Sequence, residues 1–317
     1  MGKVTNISEA AKPFLWATEK SSWPPNPDRL YVTQLFAPPM IRNLTINHYD
    51  EIENDVIDYY YRILGTAIHS VIETAVKDRI GVQTELRVAM PKDWFGIEIT
   101  GRIDWLDFTE SILADIKTSS VNIYGRDIKD DWVYQANIYR YMVRRIHGYS
   151  FENLRIYPLY RDWSGGKANG RDHPMSPYGD IELPVWTLKK TQEFIAECVA
   201  AHLADTPRMC TDEERWKTPD CYAVKKKGSA KAVAATTMID DKRVAIPTLE
   251  LAKEILVRKT NDNNKGQLFV EHRPGGCRRC EQYCDVSTIC HKVNKKWWDA
   301  DIKKAKAETD KAKAGMK

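Results

Sequence analysis

Between residues 50 and 79 the apolar side chains of Val56, Tyr60, Leu64, Ile68, Ile72 and Val76 recur at the spacing of one helix face. The pattern predicts a long helix or a broken pair of helices, ended by Gly81. The period then shortens to two. Residues 84–90, 97–108 and 111–118 read as strands, the last two joined as a hairpin across Thr109 and Glu110. Thr-Glu is not a favoured hairpin turn, so a loop longer than two residues stays open. Residues 131–147 form a second predicted helix closed by Gly148, 154–160 a strand and 187–203 a third helix. The order helix, three strands, helix, strand, helix predicts an α/β (α+β) fold: a small mixed sheet with helices packed on it.

The flanks differ in texture. Residues 1–30 are polar and carry Pro24, Pro25 and Pro27, an irregular arm, and residues 31–49 read as short extended pieces around Pro38 and Pro39. The expected organisation is an N-terminal arm (1–49), a core (50–205), an accessory subdomain (206–290) with a helix near 247–258 and a strand near 268–272, and a basic helical tail (291–317). The formal charge of +4 is uneven: the tail holds nine Lys against four acids, which leaves the preceding 290 residues at −1. Such a tail either tracks phosphates or is a solvated helix. No run approaches the ~18–20 apolar residues of a membrane helix. The opening residues lack an apolar h-region, so no secretory signal, no membrane association and a cytoplasmic location are expected. No phosphate-loop motif is present, which argues against an ATP-driven motor.

The hairpin carries the first chemistry. Across a two-residue loop, Asp104 and Asp115 would stand directly opposite each other, a like-charge pair that needs a compensating cation. Lys117 projects from the same face as Asp115. Two carboxylates and an ammonium suit metal-assisted phosphodiester cleavage. Asp115-x-Lys117 alone is an ordinary solvent-face pattern. Its context is not: both acids interrupt apolar runs, Ile103-Asp104-Trp105 and Ala114-Asp115-Ile116.

Four segments in order, Gly65-Thr66-Ala67-Ile68-His69, Gly101-Arg102-Ile103-Asp104, Asp115-Ile116-Lys117 and Gln135-Ala136-Asn137-Ile138-Tyr139, resemble the RecB-like branch of the PD-(D/E)XK nuclease superfamily. They span about a third of the chain. The resemblance implies a restriction-endonuclease-like core and a DNA nuclease acting on ends or single strands, with a recombination or replication protein as a partner. It further implies Mg²⁺ or Mn²⁺ held by His69, Asp104, Asp115 and the backbone carbonyl of Ile116, catalysis by Lys117, and Gln135 and Tyr139 beside the site, contacting DNA or buttressing the metal residues. Ile103 stands where proline often precedes the first acid, and Asp115 occupies a position usually held by Glu; both departures keep the chemistry. Glu73, one turn after His69, is a candidate to orient its ring, and Glu85 is a weaker further acid.

Residues 277–290 contain Cys277, Cys280, Cys284 and Cys290, a spacing that suits Zn²⁺ or an iron–sulfur cluster. The resemblance implies a [4Fe–4S] cluster, because several RecB-like nucleases carry one. Their pattern places one cysteine before the core and three after it, whereas this chain has none before Cys198. Cys280, Cys284 and Cys290 match the three later ligands. The fourth is Cys277 or Cys210, and Cys210 is preferred because it would staple the accessory subdomain shut. Cys198 reads as core and Cys221 is undecided. The rival reading is a non-enzymatic, zinc-stapled nucleic-acid-binding protein.

Overall fold

The computed structural model describes residues 3–19, 24–170, 173–240 and 242–303. The fold is mixed α/β, divided into two compact units, Met1–Met209 and Cys210–Lys317. Residues 304–317, most of the predicted basic tail, lie outside the described residues; residues 295–303 before them are helical. Among the described residues no helix is long and apolar enough to cross a membrane.

The first unit begins with β1 (Lys3–Thr5), α1 (Lys12–Glu19), β2 (Arg29–Tyr31), α2 (Val32–Leu35), α3 (Pro39–Asn47) and β3 (Glu53–Asp55). It continues through α4 (Tyr60–Val76), β4 (Val82–Met90), α5 (Lys92–Phe95), β5 (Glu98–Asp107), β6 (Ile112–Ser119), α6 (Asp130–His147), β7 (Asn153–Tyr160), β8 (Ile181–Leu183) and α7 (Leu188–Leu203). Two expectations are corrected here. The N-terminal segment is no separate arm, because β2 pairs in parallel with β5 and β1 with β3. The stretch around Pro38 and Pro39 is helical, because Pro39 occupies the first turn of α3, where its missing N–H has no intrahelical partner to lose. The long predicted helix is a broken one: α4 follows a short strand and a 3-10 turn over Val56–Tyr59.

Six strands form the sheet, in the order β2-β5-β6-β7-β8 with β4 on β5. Strands β4, β5 and β6 run antiparallel in turn, and α6 crosses over to bring β7 parallel to β6. The hairpin loop is four residues long rather than two, yet the register is the one the sequence implies: Trp105, Leu106 and Asp107 face Ala114, Leu113 and Ile112. The ladder stops there. Residues 98–100 of β5 pair with β2 instead, so between 101 and 104 the strand leaves β6 and opens a cleft.

Helix α6 closes one side of the sheet. Gly148 ends it in the left-handed conformation, with its N–H on the Arg144 carbonyl. Ten of its residues are buried, Val133, Ala136, Ile138 and Met142 among them, packed with Ile99, Ile103, Leu106, Leu113 and Leu154. Truncating one such side chain, Met142→Ala for instance, costs about 2–5 kcal/mol. Buried Asn137 donates to the Val133 and Pro184 carbonyls and accepts from the Trp186 N–H, which fastens the approach to α7 onto α6. Gly101 is required by close approach: a Cβ there would stand 2.4 Å from Tyr139 Cε1 and 3.0 Å from Val32 Cγ2. Helix α4 is more loosely held, with no fully buried residue; Ile68 and Ile72 face Trp105 and Ile116 across a cavity of about 180 Å³.

The second unit has a core of its own. Strands β9 (Cys221–Lys226), β10 (Ala232–Ala234) and β13 (Leu268–Arg273) form an antiparallel sheet with β9 central, and β11 (Thr236–Ile239) pairs with β12 (Lys242–Ala245). Helix α8 (Leu249–Lys259) packs Leu249, Ala252 and Ile255 with Tyr222, Val224 and Ile246. The short Lys-rich strands thus bury more apolar surface than their composition suggests. Helix α9 (Arg278–Gln282) contains Cys280 and α10 (Ser287–Val293) contains Cys290, with Cys277 at the N-cap of α9 and Cys284 between the two helices.

Candidate functional site

The opening between β5 and β6 gathers the ionisable residues of the first unit. Asp104 lies where β5 leaves the ladder, and the Ile116 N–H donates to its Oδ2 at 2.9 Å in place of a backbone acceptor. That bond keeps Asp104 within the field of Asp115 although the two residues are not ladder partners. Both acids are buried, 8% and 2% exposed. Burial, and then the charge of Asp115, push the Asp104 carboxyl up to about 8.

Two groups meet there. The first is a group of side chains that could hold a metal ion. His69 on α4, Glu85 on β4 and Asp104 on β5 offer ligand atoms that all lie within 4.8 Å of one another. His69 Nδ1 is 3.1 Å from Glu85 Oε1 and 3.4 Å from Asp104 Oδ1. Glu85 Oε2 lies 2.6 Å from Arg102 Nε, an ion pair without hydrogen-bond geometry. Glu85 also sits at a break in the sheet: Thr84 faces Trp105 and Leu86 faces Ile103, while Glu85 between them has φ +55°. A left-handed glutamate in a strand costs on the order of 1 kcal/mol, a strain characteristic of functional sites.

The second group is a clamp on the lysine. Lys117 Nζ is 2.6 Å from Asp115 Oδ2 and donates to Gln135 Oε1 at 3.1 Å. The Gln135 amide turns its Nε2 to Asp115 Oδ1 at 2.7 Å, closing a triangle of three side chains. Burial opposes the lysine charge, but Asp115, with Asp104 and Asp131, outweighs it and holds the ammonium above the ordinary lysine value. Tyr139 is one turn on from Gln135. Its hydroxyl bonds the Gln135 side chain and the Arg102 backbone, and burial, followed by the field of Asp115, raises its pKa.

The expected ligand residues are brought together only in part. His69 and Asp104 come together, Asp115 is engaged by Lys117 and Gln135, and Glu85 completes the trio. Ile116 lies between the two groups, with its N–H on Asp104. Glu73 is exposed and does not orient the His69 ring; Glu85 does. A glutamate inside a strand pattern was the only sequence signal for Glu85, and its backbone conformation has no sequence signature.

In the second unit Cys210, Cys277, Cys280, Cys284 and Cys290 are free thiols. Burial pushes Cys210 up to about 11, and the fields of Glu214, Cys284 and Cys290 add to it. Cys280 rises to about 12 through burial and then the fields of Cys284, Cys277 and Cys210. Burial likewise raises the Cys277 pKa, with Arg215 and Lys217 opposing the rise and Asp301 and Asp212 adding to it. The strand-like pairing of Lys217 with Cys277 and the Thr218 N–H on the Gly276 carbonyl tie the segment after Cys210 to the cysteine stretch. Gly275 allows this approach, since a Cβ there would overlap the Thr218 carbonyl. Arg215, 3% exposed, bridges Asp212 and Asp301 and lies over the Trp297 and Trp298 rings. Cys198 packs against the core of the first unit, as expected.

No family model and no curated protein matches the chain. Among solved structures, the crystal structure of SSO0001 aligns with 67% of this chain and 91% of its own, at 20% sequence identity and a TM-score of 0.43. A likeness at that score carries no argument about fold family or function.

Proposed function

We propose that the first unit is a restriction-endonuclease-like nuclease core that hydrolyses DNA phosphodiester bonds with a divalent cation. The observation that carries this reading is the meeting of His69, Glu85 and Asp104 with the Asp115–Lys117–Gln135 triangle in one opening of the sheet. The donor set fits Mg²⁺ or Mn²⁺: hard carboxylate oxygens, one imidazole, and a buried acid whose charge is otherwise uncompensated. His69, Glu85 and Asp104 would hold the ion, with Asp115 and the Ile116 carbonyl as further donors. When bound, the ion supplies Lewis-acid polarisation of the phosphate and a more acidic water.

The remaining work falls to the chain. Lys117 stays protonated, so it serves as a charge donor to the phosphate and an orienting donor for the attacking water rather than as a base. Asp115 and Gln135 fix its position, and Tyr139, buttressed by Gly101, fixes Gln135. Arg102 holds Glu85 and thereby the His69 ring.

The second unit is proposed to carry a structural [4Fe–4S] cluster on Cys210, Cys280, Cys284 and Cys290. The support for it is the sequence spacing of Cys280, Cys284 and Cys290 together with the mutual fields of Cys280, Cys284 and Cys210. Incubating the full chain with linear and circular DNA, in Mg²⁺ or in EDTA, tests the enzyme reading. Metal-dependent loss of linear DNA supports it, survival of circular DNA makes the enzyme an exonuclease, and a gel shift without cleavage favours the binding protein.

A further inference from the structure

Beside the acids lies a cavity of about 690 Å³ whose lining includes Arg29, Arg87, Thr100, Arg102, Asp104 and Tyr139. Arg87 on β4 and Arg102 on β5 are direct cross-strand partners. Like charges in that position repel and destabilise the ladder. Arg102 answers through Nε alone, to Glu85, and its side chain stays 54% exposed. Arg87 is exposed and has no ion-pair partner among the described residues. The Thr100 hydroxyl, two residues before Arg102, is buried without a hydrogen-bond partner. Arg29 is already matched by Glu98 at 2.6 Å. The unmatched charge of the cavity therefore centres on the Arg87–Arg102 pair, adjacent to Asp104 in the same cavity.

We propose that Arg87 and Arg102 form a phosphate seat that holds a non-scissile phosphate of the substrate strand while its neighbour lies at the acids. The proposal rests on the nuclease reading and adds to it how the strand is positioned. Two guanidinium groups side by side match the oxygens of one phosphate and remove the like-charge repulsion when it binds. The seat lies two residues along β5 from Asp104, so it takes a neighbouring phosphate rather than a distant one. The occupant is either an internal phosphodiester or a terminal phosphate monoester. Arg87 is the positioning residue to test, because Arg102 also supports Glu85.

The test compares the full chain with Arg87→Ala and Arg87→Lys on DNA strands that carry one neutral methylphosphonate at successive positions, and on strands with and without terminal phosphates. For the parent protein, neutralising one phosphate next to the cleaved bond, or removing the terminal phosphate, should raise KM about 10- to 100-fold with kcat changed less than about threefold. The first result assigns the seat to an internal phosphodiester and the second to a strand end. Arg87→Ala should show the same KM rise on fully charged DNA and lose its response to that modification. Arg87→Lys should recover part of the loss, since it restores charge without the planar fork. Without metal, Arg87→Ala should melt no lower than the parent, because the substitution relieves the Arg87–Arg102 pair; a merely structural arginine would lower it. Cleavage with unchanged KM in Arg87→Ala, or an undiminished response to the modification, overturns the phosphate seat and leaves the nuclease standing. A parent protein that cleaves no DNA overturns both.

Discussion

Asp104→Asn should stabilise the metal-free protein and abolish its stabilisation by metal. Asparagine keeps the acceptor for the Ile116 N–H and presents an amide to Glu85 and His69, so no hydrogen bond of the fold is lost. The native carboxyl, in contrast, is raised from 3.8 to about 8 by burial and by Asp115. A carboxyl raised in the folded state contributes its full stability below its unfolded pKa of ~3.9 and loses it progressively as pH rises towards 8. At 1.36 kcal/mol per pKa unit the ceiling is about 5–6 kcal/mol. Local relaxation and water penetration lower the charge penalty, so about 2–3 kcal/mol at pH 8 is the realistic gain. For a cooperative unit of the size of residues 1–209 that is roughly 5–10 °C in Tm. Thermal melts in EDTA from pH 4 to pH 8 should show the mutant and parent converging at the acid end and separating at the alkaline end. Saturating Mg²⁺ should raise the parent by about 2–4 kcal/mol and leave the mutant nearly unmoved. A mutant that melts below the parent at pH 8 in EDTA, or that gains equally from Mg²⁺, would refute the electrostatic reading of the site.

Glu85→Gln should weaken Mg²⁺ or Mn²⁺ binding in calorimetry about 10- to 100-fold, with a small change in Tm because its partner Arg102 is half exposed; unchanged affinity removes Glu85 from the ligand set. Gly101→Ala should destabilise by about 1–3 kcal/mol through the Tyr139 ring, and most of that loss should vanish in a Tyr139→Ala background; equal losses in both backgrounds would mean that the contact is not the cause. Serine at Cys280, Cys284 or Cys290 should bleach anaerobically purified brown protein and lower its Tm, and serine at Cys210 should do the same while serine at Cys277 does not. Colourless protein with stoichiometric zinc would replace the cluster with a zinc staple.

The hairpin register was legible because strand pairing is arithmetic, and 105 faces 114 as expected; the expected direct pairing of Asp104 with Asp115 is not made, because the ladder stops at that point and the Asp104 side chain takes the Ile116 N–H instead. Helix α6 was legible because its apolar spacing and Gly148 agree. The N-terminal segment was not, because β2 is three residues long and owes its conformation to β5 rather than to its own pattern. Glu85 was legible only as a weak candidate, since its role depends on a left-handed backbone and on the approach of α4. In the fold Lys117 already answers Asp115, so replacing Asp115 by Ala would remove the closest counter-charge of its ammonium, and relief of the like-charge pair is to be sought at Asp104. Among the cysteines, the sequence preferred Cys210 to Cys277 as the fourth ligand; in the fold Cys210 lies in the field of Cys284 and Cys290, and Cys280 lies in the fields of both Cys277 and Cys210.

Single-turnover cleavage of end-labelled linear DNA by the parent protein and Lys117→Ala, paired with calorimetric Mg²⁺ binding, tests the central claim most directly. The parent should cleave in Mg²⁺ and stop in EDTA. Lys117→Ala should bind Mg²⁺ within a few-fold of the parent, because lysine is no ligand, and should cleave about 100- to 1,000-fold more slowly. Cleavage that survives EDTA, or a Lys117→Ala protein that cuts at the parent rate, would contradict the assignment of this cleft as a metal-dependent nuclease centre.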